Sequence, residues 1–99
     1  MDIVYADKDL ALINTHQASG LKMSVQLIKA ARSKLNFIKG AVDERDLRNW
    51  KGLHFEKLKG DRKGQCSIRL NNQWRLIFTI ENDTVPARLT VLEICDYHD

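Results

Sequence analysis

Two arginines and a histidine in the last third of the chain are the residues best suited to chemistry. Arg69 and Arg75 flank the polar stretch 71–73, and His98 stands close to the end of the sequence. Guanidinium groups stay charged and match the oxygens of a phosphate, and an imidazole can carry a proton near neutral pH. These residue types could act on a phosphodiester without a metal ion, provided that the fold brings them together.

The apolar pattern around residues 71–73 predicts that both arginines point to the same side of a sheet. A two-residue loop at Asn71 and Asn72 would place Arg69 and Arg75 on opposite faces and would split the apolar residues. A three-residue loop gathers the apolar residues on one face: Cys66, Ile68, Leu70, Trp74, Leu76, Phe78 and Ile80. The other face then carries Gln65, Ser67, Arg69, Arg75 and Thr79, with Ile77 as its apolar exception. Burying each large apolar side chain is worth roughly 1.5–3 kcal/mol, so we expect the three-residue loop.

The first forty residues are predicted to be mainly helical. Residues 3–5 could form a short strand, and Asp7 could cap a short helix that reaches about Thr15. After Ser24 the apolar residues recur at helical spacing: Leu27, Ile28, Ala31, Leu35 and Ile38. This pattern predicts a helix that begins at Ser24 and ends with Gly40 as its C-terminal cap.

The following segments complete the predicted sheet. Residues 43–50 indicate one or two helical turns, and residues 53–58 have the mixture of apolar and polar residues typical of a strand. Residues 88–95 are apolar at positions that would point to both faces, which is typical of a strand in the interior of a sheet. We therefore expect helices first and strands afterwards.

Length, charge and cysteine content exclude several classes of protein. A chain of 99 residues with a net charge of +3 fits one domain, residues 1–99, and favours anionic partners only weakly. No apolar run approaches the ~20 residues of a membrane span, and the first residues lack the pattern of a signal peptide, so a cytoplasmic location is expected. Cys66 and Cys95 lack the spacing of a zinc site or of a disulfide framework, and both are interpreted as core residues. No metal and no cofactor are predicted.

Several blocks in the second half of the chain occur in the order and spacing of a known family. They are residues 55–62, Gly64-Gln65, Ser67-Ile68-Arg69, Gln73-Trp74-Arg75, Phe78 and Asp96-Tyr97-His98. From about Ala30 to His98 the sequence resembles the HigB branch of the RelE superfamily of toxins. The resemblance implies an α+β fold with a small twisted, mainly antiparallel β-sheet packed against two or three N-terminal helices.

The resemblance also implies a function and its partners. Such a toxin belongs to a type II toxin-antitoxin system and is a ribosome-dependent endoribonuclease. It enters the ribosomal A site and cleaves translated mRNA without a metal ion, by attack of a ribose 2′-hydroxyl on the scissile phosphate. The implied partners are the ribosome with its rRNA, the mRNA and an inhibitory HigA-type antitoxin with a helix-turn-helix domain. Contact with DNA would occur only through the antitoxin, and no membrane partner is implied.

The functional positions of the family fall on Glu56, Lys59, Arg69, Arg75, Asp96, Tyr97 and His98. Arg75 and Arg69 are expected to bind the scissile phosphate, with Lys59 as an additional cation. Either Glu56 or Asp96 would accept the 2′-hydroxyl proton, and His98 would donate a proton to the leaving 5′-oxygen. Tyr97 would stack on a nucleotide or donate a hydrogen bond to phosphate. The alternative interpretations are a solvated strand carboxylate for Glu56 and a simple ion pair for Asp96.

The roles of several other polar residues, and a second possible function, are left open by the sequence. His16 and His54 are interpreted as ordinary surface or rim residues. Lys29, Arg32, Lys34 and Lys39 most simply form a solvated helix face, which could also contact rRNA phosphates. The alternative function is a noncatalytic, degenerate toxin that binds a helix-turn-helix repressor. The joint presence of Arg69, Arg75 and His98 favours the nuclease.

Overall fold

A computed structural model describes residues 1–96, which form one five-stranded sheet with helices. The strands are β1 (Asp2–Tyr5), β2 (Glu56–Lys57), β3 (Cys66–Arg69), β4 (Arg75–Glu81) and β5 (Arg88–Cys95). The helices are α1 (Val25–Gly40) and α2 (Glu44–Asn49), and the 3₁₀ turns are Leu10–Asn14, His16–Gly20, Lys51–Leu53 and Gly60–Arg62. The strand order is β1-β5-β4-β3-β2, and every pair except β1–β5 is antiparallel. The predicted α+β class is confirmed.

Helix α1 begins where the sequence predicts, because Ser24 caps it. The Ser24 hydroxyl accepts a hydrogen bond from the Leu27 N–H at 3.1 Å, which satisfies one of the unpaired donors of the first turn. The predicted apolar stripe is buried along the helix. The predicted cap at Gly40 is wrong: Gly40 is the last helical residue, and Ala41 follows as the cap with extended backbone.

The hairpin between β3 and β4 has the predicted three-residue loop. The register pairs Ser67 with Ile77 and Arg69 with Arg75, and the Leu70 N–H donates to the Trp74 carbonyl at 2.9 Å. Asn71 closes the loop because its side-chain Oδ1 accepts from the N–H groups of Gln73 and Trp74, at 2.9 and 2.8 Å. Both arginines therefore lie on the same face, as predicted.

Strand β5 contains a bulge at Leu92. Phe78 pairs with Val91 but its neighbour Ile77 pairs with Glu93, so Leu92 is an extra residue on β5. The bulge places Ile94 opposite Leu76, on the apolar face, and Glu93 on the face of Ile77. Strand β5 lies between β1 and β4, as its apolar residues predict. Leu92, which made the strand look apolar on both faces, is the residue in the bulge.

The predicted strand at residues 53–58 is mostly wrong. Leu53 ends a 3₁₀ turn, His54 has the left-handed backbone conformation with φ 50°, and only Glu56 and Lys57 pair with β3. Because a left-handed residue cannot continue a strand, β2 shrinks to two residues at the edge of the sheet. The helix predicted after Asp7 is a 3₁₀ turn, Leu10–Asn14.

The main core lies between α1 and the apolar face of the sheet. Fully buried side chains from both meet there, among them Leu35, Ile38, Ile68 and Phe78. Cys66 belongs to this core, whereas Cys95 lies half-buried opposite Arg75 on the other face, so its predicted core position is wrong. Both thiols are free, and burial raises the pKa of each. In residues 1–96 no helix has the length and apolar character needed to cross a membrane.

Candidate active site

Arg75 is held in place by three partners on the polar face of the sheet. Its Nη1 donates to the His54 carbonyl and to the Ser67 hydroxyl, both at 3.2 Å, and its Nη2 lies 3.3 Å from Oε1 of Glu56. The Arg75 side chain is 18% exposed and Ser67 is fully buried, so the guanidinium is supported from below and has little freedom. The side chain is not fully enclosed, so an anion can approach it.

Glu56 reaches Arg75 because of the strand register. It pairs with Ser67 across β2 and β3, so its side chain points to the same face as the arginines. The Glu56 side chain is 34% exposed, and its carboxylate forms the ion pair with Arg75. A carboxylate beside a guanidinium on an open face can accept a proton from a hydroxyl that approaches the bound anion.

Arg69 lies opposite Arg75 and is held by its own hairpin loop. Its Nε donates to the Asn71 carbonyl at 3.0 Å, and its Nη2 donates to Oδ1 of Asn72. Its Nη1 lies 3.4 Å from Nε2 of His54. A guanidinium has five N–H groups, so these contacts fix its orientation and leave donors for a phosphate between the two arginines.

His54 lies next to both arginines, although the sequence analysis gave it no role. Its carbonyl accepts from Arg75, and its ring contacts Arg69. The residue is exposed, which agrees with the interpretation as a surface or rim residue, but its contacts with the arginines were not predicted. The pairing of β2 with β3 would have predicted these contacts. Because Glu56 pairs with Ser67, position 54 lies close to Arg69, but the sequence alone does not show this pairing.

Asp96 and Lys59 lie at the margins of this arrangement. Asp96 follows β5 and accepts a hydrogen bond from Nε2 of Gln73 at 3.0 Å, which places it beside the hairpin loop. Lys59 is exposed, directly before the turn Gly60–Arg62. Tyr97 and His98 lie outside the described residues. The structure thus brings Glu56, Arg69 and Arg75 together and puts Asp96 at the same end of the sheet.

The neighbouring part of the polar face is covered by a strap formed by the turn Gly60–Arg62. Nη2 of Arg62 lies 2.6 Å from Oε1 of Glu93, and its Nη1 donates to Oε1 of Gln65 at 3.1 Å. Gly60 and Gly64 have positive φ, 63° and 92°, which lets the chain turn on both sides of Arg62. Ile77, the register partner of Glu93, has no exposed surface. The apolar exception on the polar face is therefore buried.

The described residues offer no obvious metal site. In residues 1–96 no three histidine, cysteine, aspartate or glutamate side chains gather closely enough to hold a metal ion. What these residues do offer is two fixed guanidinium groups, a carboxylate and an imidazole on one accessible face. Such a set can bind a phosphate and exchange protons next to it.

Comparison with known proteins identifies the family. The family model described as RelE-like toxin of type II toxin-antitoxin system HigB matches residues 4–98. Toxin HigB-1 of Vibrio cholerae serotype O1 is 53% identical over 45 residues, which are 46% of this chain and 47% of that protein. The match therefore spans about half the length of this curated relative.

Solved structures share the fold at low sequence identity. A YoeB/ParE toxin from Agrobacterium tumefaciens has a TM-score of 0.61 at 16% identity, covering 99% of this chain and 100% of that one. YafQ from Escherichia coli BL21(DE3) has a TM-score of 0.63 at 16% identity, covering 96% and 91%. The YoeB–YefM complex from Staphylococcus aureus has a TM-score of 0.58 at 21% identity, covering 100% and 98%. With the family model matching nearly the whole sequence, the chain belongs to the HigB family of RelE-like toxins of type II toxin-antitoxin systems.

Proposed function

We propose that this protein is a ribosome-dependent endoribonuclease that cleaves translated mRNA in the ribosomal A site. Family membership supports a toxin, and one observation supports catalysis: the Arg75 guanidinium is fixed beside the Glu56 carboxylate and faces Arg69 on an accessible surface. Glu56 helps to hold Arg75, and its carboxylate is also in reach of a hydroxyl next to an anion bound at Arg75. A cation and a proton acceptor side by side are what cleavage by a 2′-hydroxyl requires.

The proposed reaction is an internal transesterification of RNA. The base takes the proton of a ribose 2′-hydroxyl, and the 2′-oxygen forms a bond to the adjacent phosphorus. The bond from phosphorus to the 5′-oxygen then breaks, which leaves a 2′,3′-cyclic phosphate, and an acid protonates the departing 5′-oxygen. Negative charge accumulates on the phosphoryl oxygens during this step, and fixed guanidinium groups stabilise that charge.

The proposed roles combine the family resemblance with the contacts of the described residues. Arg75 and Arg69 bind the scissile phosphate, with Lys59 as an outer cation. Glu56 is the better supported proton acceptor, because it contacts Arg75 at 3.3 Å, whereas Asp96 accepts a hydrogen bond from Gln73 at the margin. His98 is proposed as the acid for the 5′-oxygen and Tyr97 as the residue that stacks on a nucleotide, both by resemblance to the family.

The proposed partners are the ribosome, its mRNA and an antitoxin with a helix-turn-helix domain of the HigA type. The family description names a toxin-antitoxin system, and one structural neighbour is a toxin-antitoxin complex, which supports an antitoxin in general. Contact with DNA is proposed only through that antitoxin. The proposed site of action is the cytoplasm, where ribosomes translate mRNA.

Brief induction in growing cells tests the proposed function. Primer extension on an abundant mRNA is compared for the wild type, for Arg75→Ala and for Arg45→Ala, whose arginine is exposed on α2. We expect cuts only within translated regions, with the wild type and Arg45→Ala, and none with Arg75→Ala. Circular dichroism checks that every variant is folded. Normal growth and intact mRNA with a folded wild type would refute the nuclease and leave a noncatalytic partner of a repressor as the function.

A further inference from the structure

The position of His54 relative to the sheet points to a role in substrate binding. Glu56 pairs with Ser67 and Arg69 pairs with Arg75, so position 54 lies beside Arg69 in the same row as both arginines. The ring is exposed, and its Nε2 is 3.4 Å from Nη1 of Arg69. An imidazole therefore lies at one end of a row of two cations on the accessible face.

The backbone of His54 is fixed by contacts to both sides. Its N–H donates to the Lys51 carbonyl at 3.1 Å, and its carbonyl accepts from Arg75 at 3.2 Å. The residue has φ 50°, a conformation that costs free energy for any residue with a side chain and that is often found at functional sites. Because Arg75 binds this carbonyl, the backbone of His54 and the guanidinium of Arg75 keep a fixed relation.

We propose that His54 is a third ligand of the scissile phosphate, next to Arg69 and Arg75; the proposal rests on the RNA cleavage proposed above. Nε2 of His54 lies 3.4 Å from Nη1 of Arg69, so the ring nitrogen is next to the guanidinium that would bind the phosphate. A phosphate bound between the arginines brings negative charge to the same place. A ring that carries a proton on Nε2 can donate a hydrogen bond to a phosphate oxygen there.

The charges around the His54 ring relate its hydrogen bond with the phosphate to the pH. Arg69 on β3 contacts the ring of His54, and Arg75 on β4 contacts its carbonyl and is paired with Glu56 on β2. Lys51, three residues earlier in the chain, is exposed. A bound phosphate adds negative charge to this set, and negative charge beside an imidazole favours its protonated form. The contribution of His54 to substrate binding should therefore grow as the pH falls.

The test is single-turnover cleavage of mRNA on programmed ribosomes, with subsaturating toxin, at about pH 6 and about pH 8. His54→Gln places an uncharged amide near the position of Nε2, and His54→Asn is a second variant because asparagine tolerates the left-handed backbone. His16→Gln, in the turn His16–Gly20, is the matched control for removal of an exposed histidine. Circular dichroism and thermal melting check folding. The ratio of wild-type to variant rate cancels the pH dependence of other groups.

We expect both His54 variants to be slower than the wild type by roughly 10-fold or more at about pH 6, because a charge-assisted hydrogen bond is lost. At about pH 8 the difference should shrink to about twofold or less. Equal rates at both pH values would overturn the proposal, and so would an equal loss at both, which would indicate that the ring only positions Arg69. Failure of the wild type itself to cleave would instead refute the nuclease, and the role of His54 with it.

Discussion

Arg75→Lys keeps the positive charge at this position and removes the planar arrangement of N–H donors of the guanidinium. The Arg75 guanidinium uses Nη1 for the His54 carbonyl and the Ser67 hydroxyl, and Nη2 for Glu56. A lysine has one nitrogen and cannot meet these partners and a phosphate in the same fork arrangement. At least one charge-assisted hydrogen bond is lost, which is worth about 1.5–3 kcal/mol. If that loss falls on the transition state, cleavage slows by roughly 10- to 150-fold.

The assay is single-turnover cleavage on programmed ribosomes, together with urea unfolding. The Ser67 hydroxyl is fully buried and loses its donor, so we also expect the free energy of unfolding to fall by about 1 kcal/mol. Arg45→Lys, which changes an arginine with 84% of its side chain exposed, is the matched control for cleavage and should leave that rate unchanged. A cleavage rate for Arg75→Lys within twofold of the wild type would show that charge alone suffices and that the fixed contacts are irrelevant.

Three further predictions concern stability and thiol reactivity. Ser24→Ala should lower the free energy of unfolding by about 1 kcal/mol in urea titrations, because the first turn of α1 loses its cap. An equal loss from Ser33→Ala, inside the same helix, would contradict this reason. The hydrogen bonds and charge of Arg45 lower the pKa of Asp43, so this carboxylate stabilises the fold above its ordinary value of 3.8 and loses that effect as the pH falls through the folded-state pKa. Asp43→Asn should therefore be less stable than the wild type at neutral pH and equally stable in strong acid; a difference that does not change with pH would exclude this linkage. Burial raises the pKa of both thiols, so iodoacetamide at neutral pH should label the folded protein more slowly than the urea-unfolded chain. In peptide mass spectra of the folded protein, half-buried Cys95 should be labelled before buried Cys66, and the reverse order would contradict their burial.

The β3–β4 hairpin could be predicted because its sequence leaves one acceptable register. Apolar residues alternate on both sides of residues 71–73, and the wrong loop length would expose half of them. The convergence of Arg69 and Arg75 then follows from geometry alone. Helix α1 was predictable for the same kind of reason, since the apolar stripe and the cap at Ser24 agree.

The parts that sequence patterns missed depend on backbone conformation or on distant partners. His54 looked like a strand residue, and its left-handed backbone becomes visible only when the turn Lys51–Leu53 is known. The strap rests on an ion pair between Arg62 and Glu93, which are 31 residues apart, and no local pattern relates them. Glu56 was assigned to the site by family resemblance, while its contact with Arg75 depends on the pairing of a two-residue strand.

The bulge at Leu92 limits how the length of this strand can change during evolution. Deleting Leu92 would leave Val91 opposite Phe78 and Glu93 opposite Ile77, so a regular ladder would form and every side chain would keep its face. Deleting a residue such as Ile94 instead would shift the rest of the strand by one position and turn Cys95 and Asp96 to the other side. Among sequence variants of this chain, single-residue deletions in β5 should therefore survive at position 92 and be eliminated after it.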